Sequence, residues 1–229
     1  KIKNQKKYVN SYFFIDLLSK KLSPNSVVVT DMGLSFVCTN QTIITKSLKQ
    51  RHFSNAGHAP MGWGLPGAIG ACFANKKRQV ICVAGDGGFQ MNVQELATIS
   101  HYKLPIIIFL YNNKGYSTII QTQRLGFNSR IMGSNKKSGL SFPNFKSLSK
   151  AYSIKYHVLK NNNDLKKIDK LLKLKIPVIC ELLIDPEQMQ GPKLINRRTK
   201  DNEIAIPSKF EDLHPFLDIN ELTRNNFSG

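Results

Sequence analysis

The sequence predicts an α/β fold, a doubly wound and mostly parallel sheet with helices on both faces. Three observations carry this reading. Four short apolar runs rich in β-branched residues alternate with segments of helical period. Each run is almost continuously apolar, as in a strand buried on both faces. Three of them end in polar or glycine-rich turns, and open parallel sheets bind ligands beyond the carboxyl ends of their strands.

In chain order, Phe13, Phe14, Leu17 and Leu18 recur at helical spacing and put an amphipathic helix on residues 10–21. Ser26–Asp31 (SVVVTD) is the first buried strand. Gly64–Ala74 (GLPGAIGACFA) is small and apolar, which suits a helix packed closely on a sheet. Gln79–Gly85 (QVICVAG) is the second strand. Asn92, with Glu95 three residues later, has the form of a capping box, and Val93, Leu96, Ala97 and His101 then share one helical face. Pro105–Tyr111 and Pro177–Ile184 are the third and fourth strands. Between them Leu165, Ile168, Leu171 and Leu172 put a helix on Asp164–Lys173. From Asp185 the chain turns polar, irregular and Pro-punctuated. The division expected is therefore one domain over residues 1–185 and an extension over 186–229, on the surface or folded over a neighbouring site.

Composition narrows the class. Of 229 residues, 41% are hydrophobic, enough to build a core, so disorder is not expected. No apolar run approaches the roughly 20 residues needed to cross a bilayer. The apolar stretch near the N-terminus is broken by Asp16 and lacks a small-residue cleavage site, so a cytoplasmic protein without a membrane partner is expected. The start at Lys1 in place of Met reads as a fragment or a processed piece. Cys38, Cys72, Cys82 and Cys180 stand far apart with no C-x-x-C, the pattern of buried thiols in a reducing compartment. The net charge of +18 raises the possibility of a nucleic-acid partner. Its distribution argues otherwise. Eleven lysines spread over residues 136–175 without interleaved aromatics, and between Gln79 and Asn113 the only Lys or Arg is Lys103. No nucleic-acid partner is expected.

The turns carry the chemistry. They are TDMGLS (Thr30–Ser35), GDGGF (Gly85–Phe89) and YNNKGY (Tyr111–Tyr116). Glycines let the backbone approach a ligand, and exposed N–H groups can point at an anion. Asp86 offers a carboxylate, Asn113 an amide oxygen and Gly115 a backbone carbonyl. Three oxygens suit Mg²⁺, which is usually held by few protein ligands together with phosphate oxygens and water. Taken singly, Gly-Asp-Gly is also good turn chemistry, Met61 is ordinary core filler and Ser35 a turn hydroxyl. Their order along the chain is more specific.

Gly85-Asp86-Gly87, then 24 residues holding one helix and one strand, then Asn112-Asn113, is the pattern of the thiamine-diphosphate (ThDP) binding motif. Over residues 10–185 the chain resembles the diphosphate-binding domain of ThDP-dependent, transketolase-like enzymes, and is most similar to the acetolactate synthase large-subunit group. The resemblance implies that Asp86, Asn113 and Gly115 bind Mg²⁺. It implies that Gly85, Gly87, Gly88 and Tyr116 line the cofactor, and that Met32, Gly33, Leu34 and Ser35 meet the diphosphate. Ser54–Ala71 (SNAGHAPMGWGLPGAIGA) matches the stretch whose apolar residue, here Met61, wedges under the cofactor and bends it, the catalytic contribution of this chain; Gly62 faces the pyrimidine ring. His58 has no counterpart in the pattern and reads as a surface-loop histidine.

The departures matter as much. Gln121-Thr122-Gln123 stands where acetolactate synthases have Q-W-Q, which implies a roomier or chemically different acceptor site. Ile119 stands where simple pyruvate decarboxylases carry a catalytic glutamate. None of the 15 acidic residues sits in a motif for the glutamate that activates the pyrimidine ring. In the family that glutamate comes from a separate pyrimidine-binding domain, usually across a dimer interface. The expectation is half of an active site: the Mg²⁺- and ThDP-binding domain of a 2-oxo-acid carboligase, working as a homodimer or homotetramer, with FAD only in a domain outside this chain. The alternatives are the diphosphate-binding subunit of a split 2-oxo-acid decarboxylase and, from another class, a basic nucleic-acid-binding module.

Overall fold

The apolar runs form the centre of one sheet. The computed structural model describes residues 7–76, 78–198, 205–206 and 208–225. Its strands are β1 (Val27–Thr30), β2 (Arg51–Phe53), β3 (Val80–Gly85), β4 (Ile106–Asn112), β5 (Lys155–Leu159) and β6 (Val178–Leu183), in the order β2-β1-β3-β4-β6-β5. Every pairing in this sheet is parallel. The expected four strands are β1, β3, β4 and β6; β2 and β5 are additional edge strands.

Alternation along each strand divides the core in two. On β4, Ile107, Phe109 and Tyr111 join the cluster with Phe14, Ile15 and Leu18 of α1 (Ser11–Lys21) and Leu34 and Cys38 of α2 (Leu34–Thr42). Ile106, Ile108 and Leu110 join the opposite cluster. Its members include Leu65, Ala68 and Cys72 of α3 (Gly64–Ala74), Phe89 of α4 (Asp86–Met91), Leu96 and Ile99 of α5 (Leu96–His101) and, beyond α6 (Ser117–Gly126), Phe145 of α7 (Phe145–Ala151). The doubly wound arrangement follows, because a strand apolar at every position needs a helix layer on each side. Each large side chain fully buried there contributes ~1.5–3 kcal/mol. A 3₁₀ segment, Asn162–Lys167, runs into α8 (Ile168–Leu172), and Leu165, Ile168 and Leu171 are buried as their spacing predicts.

Two local expectations are corrected. The Asn92 capping box does not form: Asn92 caps nothing with its side chain, and its amide donates instead to the Gly62 carbonyl at 2.8 Å. Val93–Glu95 is a 3₁₀ turn, whose three-residue period shifts the phase of the helix that follows. The residues buried are thus Leu96 and Ile99, while Ala97 and His101 are exposed.

Past β6 the chain is tied down residue by residue. Gln188 accepts the Ser11 N–H at 3.1 Å, and Gly191 exchanges two hydrogen bonds with the Tyr12 hydroxyl, at 3.0 and 3.1 Å. Further on are a two-residue antiparallel pair, β7 (Arg197–Arg198) with β8 (Ala205–Ile206), and α9 (Ile219–Asn225).

Candidate active site

Strand order reverses between β1 and β3: from β1 the chain moves outward to β2, then returns to the other side of β1. A crevice opens at such a switch point beyond the carboxyl ends of the strands. Here the ends are Asp31, directly after β1, and Gly85-Asp86, where β3 passes straight into α4. GDGGF is therefore the first turn of a helix in place of a free loop. Asn113 follows β4, the next strand over.

A cleft of about 320 Å³ lies there. Met32, Gly33, Leu34, Met61, Gly85, Asp86, Gly87, Gly88, Asn113, Gly115 and Tyr116 all line it. Two other expected residues do not. Ser35 is fully buried and donates its hydroxyl to the Met32 carbonyl at 3.0 Å. Gly62 stands behind Met61, held by Asp31 and Asn92. Six residues outside the expected set complete the wall: Phe36 and Val37 of α2, Ala59, and Ser117, Thr118 and Ile119 at the start of α6.

Asp86 is 1% exposed. One carboxylate oxygen accepts the Gly87 N–H at 2.8 Å; the other accepts the N–H groups of Asn113 at 3.1 Å and Gly115 at 3.3 Å. Burial pushes its pKa up to about 7, against the pull of the Gly115, Gly87, Lys114 and Asn113 N–H groups. The carboxylate also lines the cleft, so it could serve as an oxygen ligand to a hard cation there. Asn113 donates its side-chain amide to the Gly115 carbonyl at 2.6 Å, so amide and carbonyl share one turn, and the Asp86 carboxylate reaches that turn from the start of α4 through its bonds to the Asn113 and Gly115 N–H groups.

Backbone approach is closest at the paired glycines. A Cβ on Gly87 would come within 2.3 Å of the Tyr116 ring and 2.8 Å of the Met61 methyl; one on Gly88 would come within 1.9 Å of the Asp31 carboxylate. Met61 and Tyr116 thus close over Gly87 from two sides.

The sequence pattern places Asp31 only within a turn, and the structure gives it a larger part. It is 1% exposed, and its carboxylate receives N–H groups from Met32, Gly62, Trp63 and Gly64. Burial raises its pKa, and those bonds offset only part of the rise. The available signal was a lone acidic residue ending a buried strand. Ser134 lies outside the expected set too. It is fully buried, and its carbonyl accepts the Tyr116 N–H at 2.9 Å, fixing the end of the loop between β4 and α6. His58 is exposed on its loop, as read from the sequence.

The Gln-Thr-Gln departure resolves into two clamps. Gln121 is buried, donating to the Gln190 carbonyl at 3.0 Å and accepting the Gln190 N–H at 3.2 Å. Gln123 holds Met132 and Ser134. Thr122 lines a separate groove of about 390 Å³ with Phe127 and Leu194.

Residues 31–182 match the family of the thiamine pyrophosphate enzyme C-terminal TPP-binding domain. The chain belongs to this family. Among curated relatives, the acetolactate synthase large subunit of Porphyra purpurea is 34% identical over 189 residues, 82% of this chain and 29% of that protein. The large subunit from Cyanidium caldarium is 29% identical, over 84% of this chain and 32% of its own length. The isozyme 1 large subunit of Escherichia coli K12 is 28% identical, over 80% and 32% respectively. The chain spans about three-tenths of the relatives it matches. As a thiamine pyrophosphate family domain, it has the α/β fold expected, with the sheet parallel throughout. Among the described residues, no helix is long and apolar enough to cross a membrane.

Proposed function

We propose that this chain is the Mg²⁺- and ThDP-binding part of a 2-oxo-acid carboligase of the acetolactate synthase type. The observation that carries the reading is the convergence of Asp86, Asn113 and Gly115 at the switch-point cleft, beside two glycines with no room for a Cβ. The donor set fits: one carboxylate, one amide and one carbonyl are hard oxygens of the kind Mg²⁺ takes, and they leave positions for phosphate oxygens. The Gly87–Gly88 backbone lines the cleft and is open to a diphosphate because neither residue carries a side chain; the room that a Cβ would need is already taken by Tyr116, Met61 and Asp31. When bound, ThDP supplies an electron sink for breaking and making carbon bonds next to a carbonyl.

The chain's own residues bind and orient. Asp86, Asn113 and Gly115 would hold the cation; Met32, Gly33 and Leu34 also line the cleft. Met61, on the cleft wall, would pack against the bound cofactor and help to orient it. Leu34, Val37 and Ile119 present hydrocarbon to the cleft and keep water from the reacting carbons. Ile119 cannot move a proton, which favours carbon–carbon bond formation over release of an aldehyde. A small 2-oxo acid is the substrate class.

The rest of the assembly belongs to the same reading. A pyrimidine-binding domain, in the same longer chain or in a second subunit of a homodimer or homotetramer, supplies the activating glutamate, and any FAD sits outside these residues. The extension that begins at residue 186 helps to close the site, a reading supported at its start by the Gln190 amide donating to Thr118 on the cleft wall at 2.6 Å. A reducing, cytoplasmic setting is supported by four buried free cysteines.

The test is Asp86→Ala in the full-length protein with its pyrimidine-binding domain. Calorimetry is expected to show Mg²⁺-dependent ThDP binding in the parent and none in the variant; unchanged binding would sink the assignment.

A further inference from the structure

We infer that Glu181 is a positioning residue for the metal-side loop, acting through Asn112. The inference rests on the metal assignment just made. Glu181 lies on β6 opposite Leu110 of β4 and Val158 of β5, near the carboxyl ends of all three strands. It is 8% exposed, and among the described residues no cation pairs with it. A buried carboxylate is costly to a sheet that needs only an apolar residue at this point.

Its two oxygens reach the diagonal neighbours on the flanking strands. Tyr156 of β5 donates its hydroxyl to one oxygen, and Asn112 of β4 donates its amide N–H to the other at 2.6 Å. A carboxylate can only accept, so it claims the Nδ2 side of Asn112 and leaves Oδ1 facing the other way. That oxygen accepts the Lys114 N–H at 3.2 Å. Lys114 has φ of +60°, the left-handed region that a residue with a side chain adopts only when held there. It sits between Asn113 and Gly115, two of the three proposed ligands. The relay therefore runs from Tyr156 through Glu181 and Asn112 to Lys114, and it sets the turn that carries both ligand oxygens.

The Tyr156 hydroxyl can reverse from donor to acceptor, and this gives the relay a distinguishing property. In Glu181→Gln the new carboxamide oxygen still accepts from Asn112, while its NH₂ donates to Tyr156. In Glu181→Leu nothing orients Asn112, and its amide is free to turn a donor toward Lys114.

The experiment measures, in full-length protein, the Mg²⁺ concentration that half-saturates ThDP binding by calorimetry, with the thermal midpoint of the metal-free protein alongside. Glu181→Leu is expected to raise the Mg²⁺ requirement about tenfold, the low end of what loss of a ligand-supporting partner does. Glu181→Gln is expected to stay within about threefold of the parent, since each hydrogen bond survives. A fall in thermal midpoint with an unmoved Mg²⁺ requirement would assign Glu181 a structural role only and overturn the inference. Equal impairment of Gln and Leu variants would assign the effect to charge and also overturn it. If Glu181→Leu does not fold, Asn112→Ala, at a half-buried position, carries the test: it must raise the Mg²⁺ requirement, and an unchanged value overturns the relay. Asp86→Ala in parallel separates the two readings, because Mg²⁺-dependent binding that survives there removes the metal assignment itself.

Discussion

The carboxylate of Asp31 accepts the Gly62 N–H at 3.0 Å and so joins the end of β1 to the loop entering α3. The two residues are 31 positions apart, and the bond holds Gly62 behind Met61. An Asp31→Asn variant keeps the shape but turns an NH₂ group toward backbone donors. One or more buried N–H groups then lose their acceptor, at a cost of ~1–3 kcal/mol. Urea denaturation is expected to show that loss, and ThDP affinity should fall with it because Met61 is no longer backed.

Glycines in this fold divide by what surrounds them. Gly88→Ala would drive a methyl to within 1.9 Å of the Asp31 carboxylate, and is expected to destabilise by ~1–3 kcal/mol through overpacking. Gly70 lies in α3 with open space around its Cβ position. Gly70→Ala should instead stabilise by ~0.5–1 kcal/mol, the helix-propensity gain. Opposite signs in thermal midpoint check the pair.

The same contrast explains what was legible in the sequence. The central strands announced themselves because burial on both faces demands continuous apolar runs, as in Ile106–Leu110. The edge strands did not. Arg51–Phe53 is three residues long and half-polar, and exists by pairing with β1 alone. Helix α2 also lacked a signal: of its four buried residues, Ser35 and Thr39 are polar and satisfied by backbone carbonyls. Most cleft residues were readable, since glycine and acidic turn chemistry is local. Asp31 and Glu181 were not, because what makes each important is a partner 31 or 69 positions away.

Three buried thiols give the protein an alkaline limit. Burial pushes the Cys38 thiol up to about 12, and those of Cys82 and Cys180 higher still. In the unfolded chain a thiol ionises near pH 8.5. A folded pKa raised above the unfolded one means the stabilisation is whole below about pH 8.5 and is lost as pH climbs toward the folded value, because the unfolded chain sheds protons that the folded one keeps. Each thiol contributes a slope of about 1.4 kcal/mol per pH unit within that window. Stability measured by urea titration at pH 8, 9 and 10 should fall progressively. Cys82→Ala, whatever its absolute stability, should show a shallower slope by one such increment; an unchanged slope would mean the thiol titrates alike in both states.

Gln121 closes the segment after β6 onto α6 by pairing with both backbone groups of Gln190, which is 2% exposed. In Gln121→Ala that N–H and that carbonyl lose their partners together, at ~1–3 kcal/mol for the buried pair. The cost falls on residues 188–192, which open locally, while the sheet keeps its packing. Hydrogen exchange is expected to accelerate at Gln190 and Gly191 and to stay unchanged in β3 and β4. Gln190→Ala removes only the side-chain bond to Thr118 and leaves the backbone pairing intact. Its exchange at Gly191 should therefore remain close to the parent's. If both variants accelerate exchange equally, the segment is held by the Gln190 side chain, and the backbone pairing with Gln121 is not what secures it.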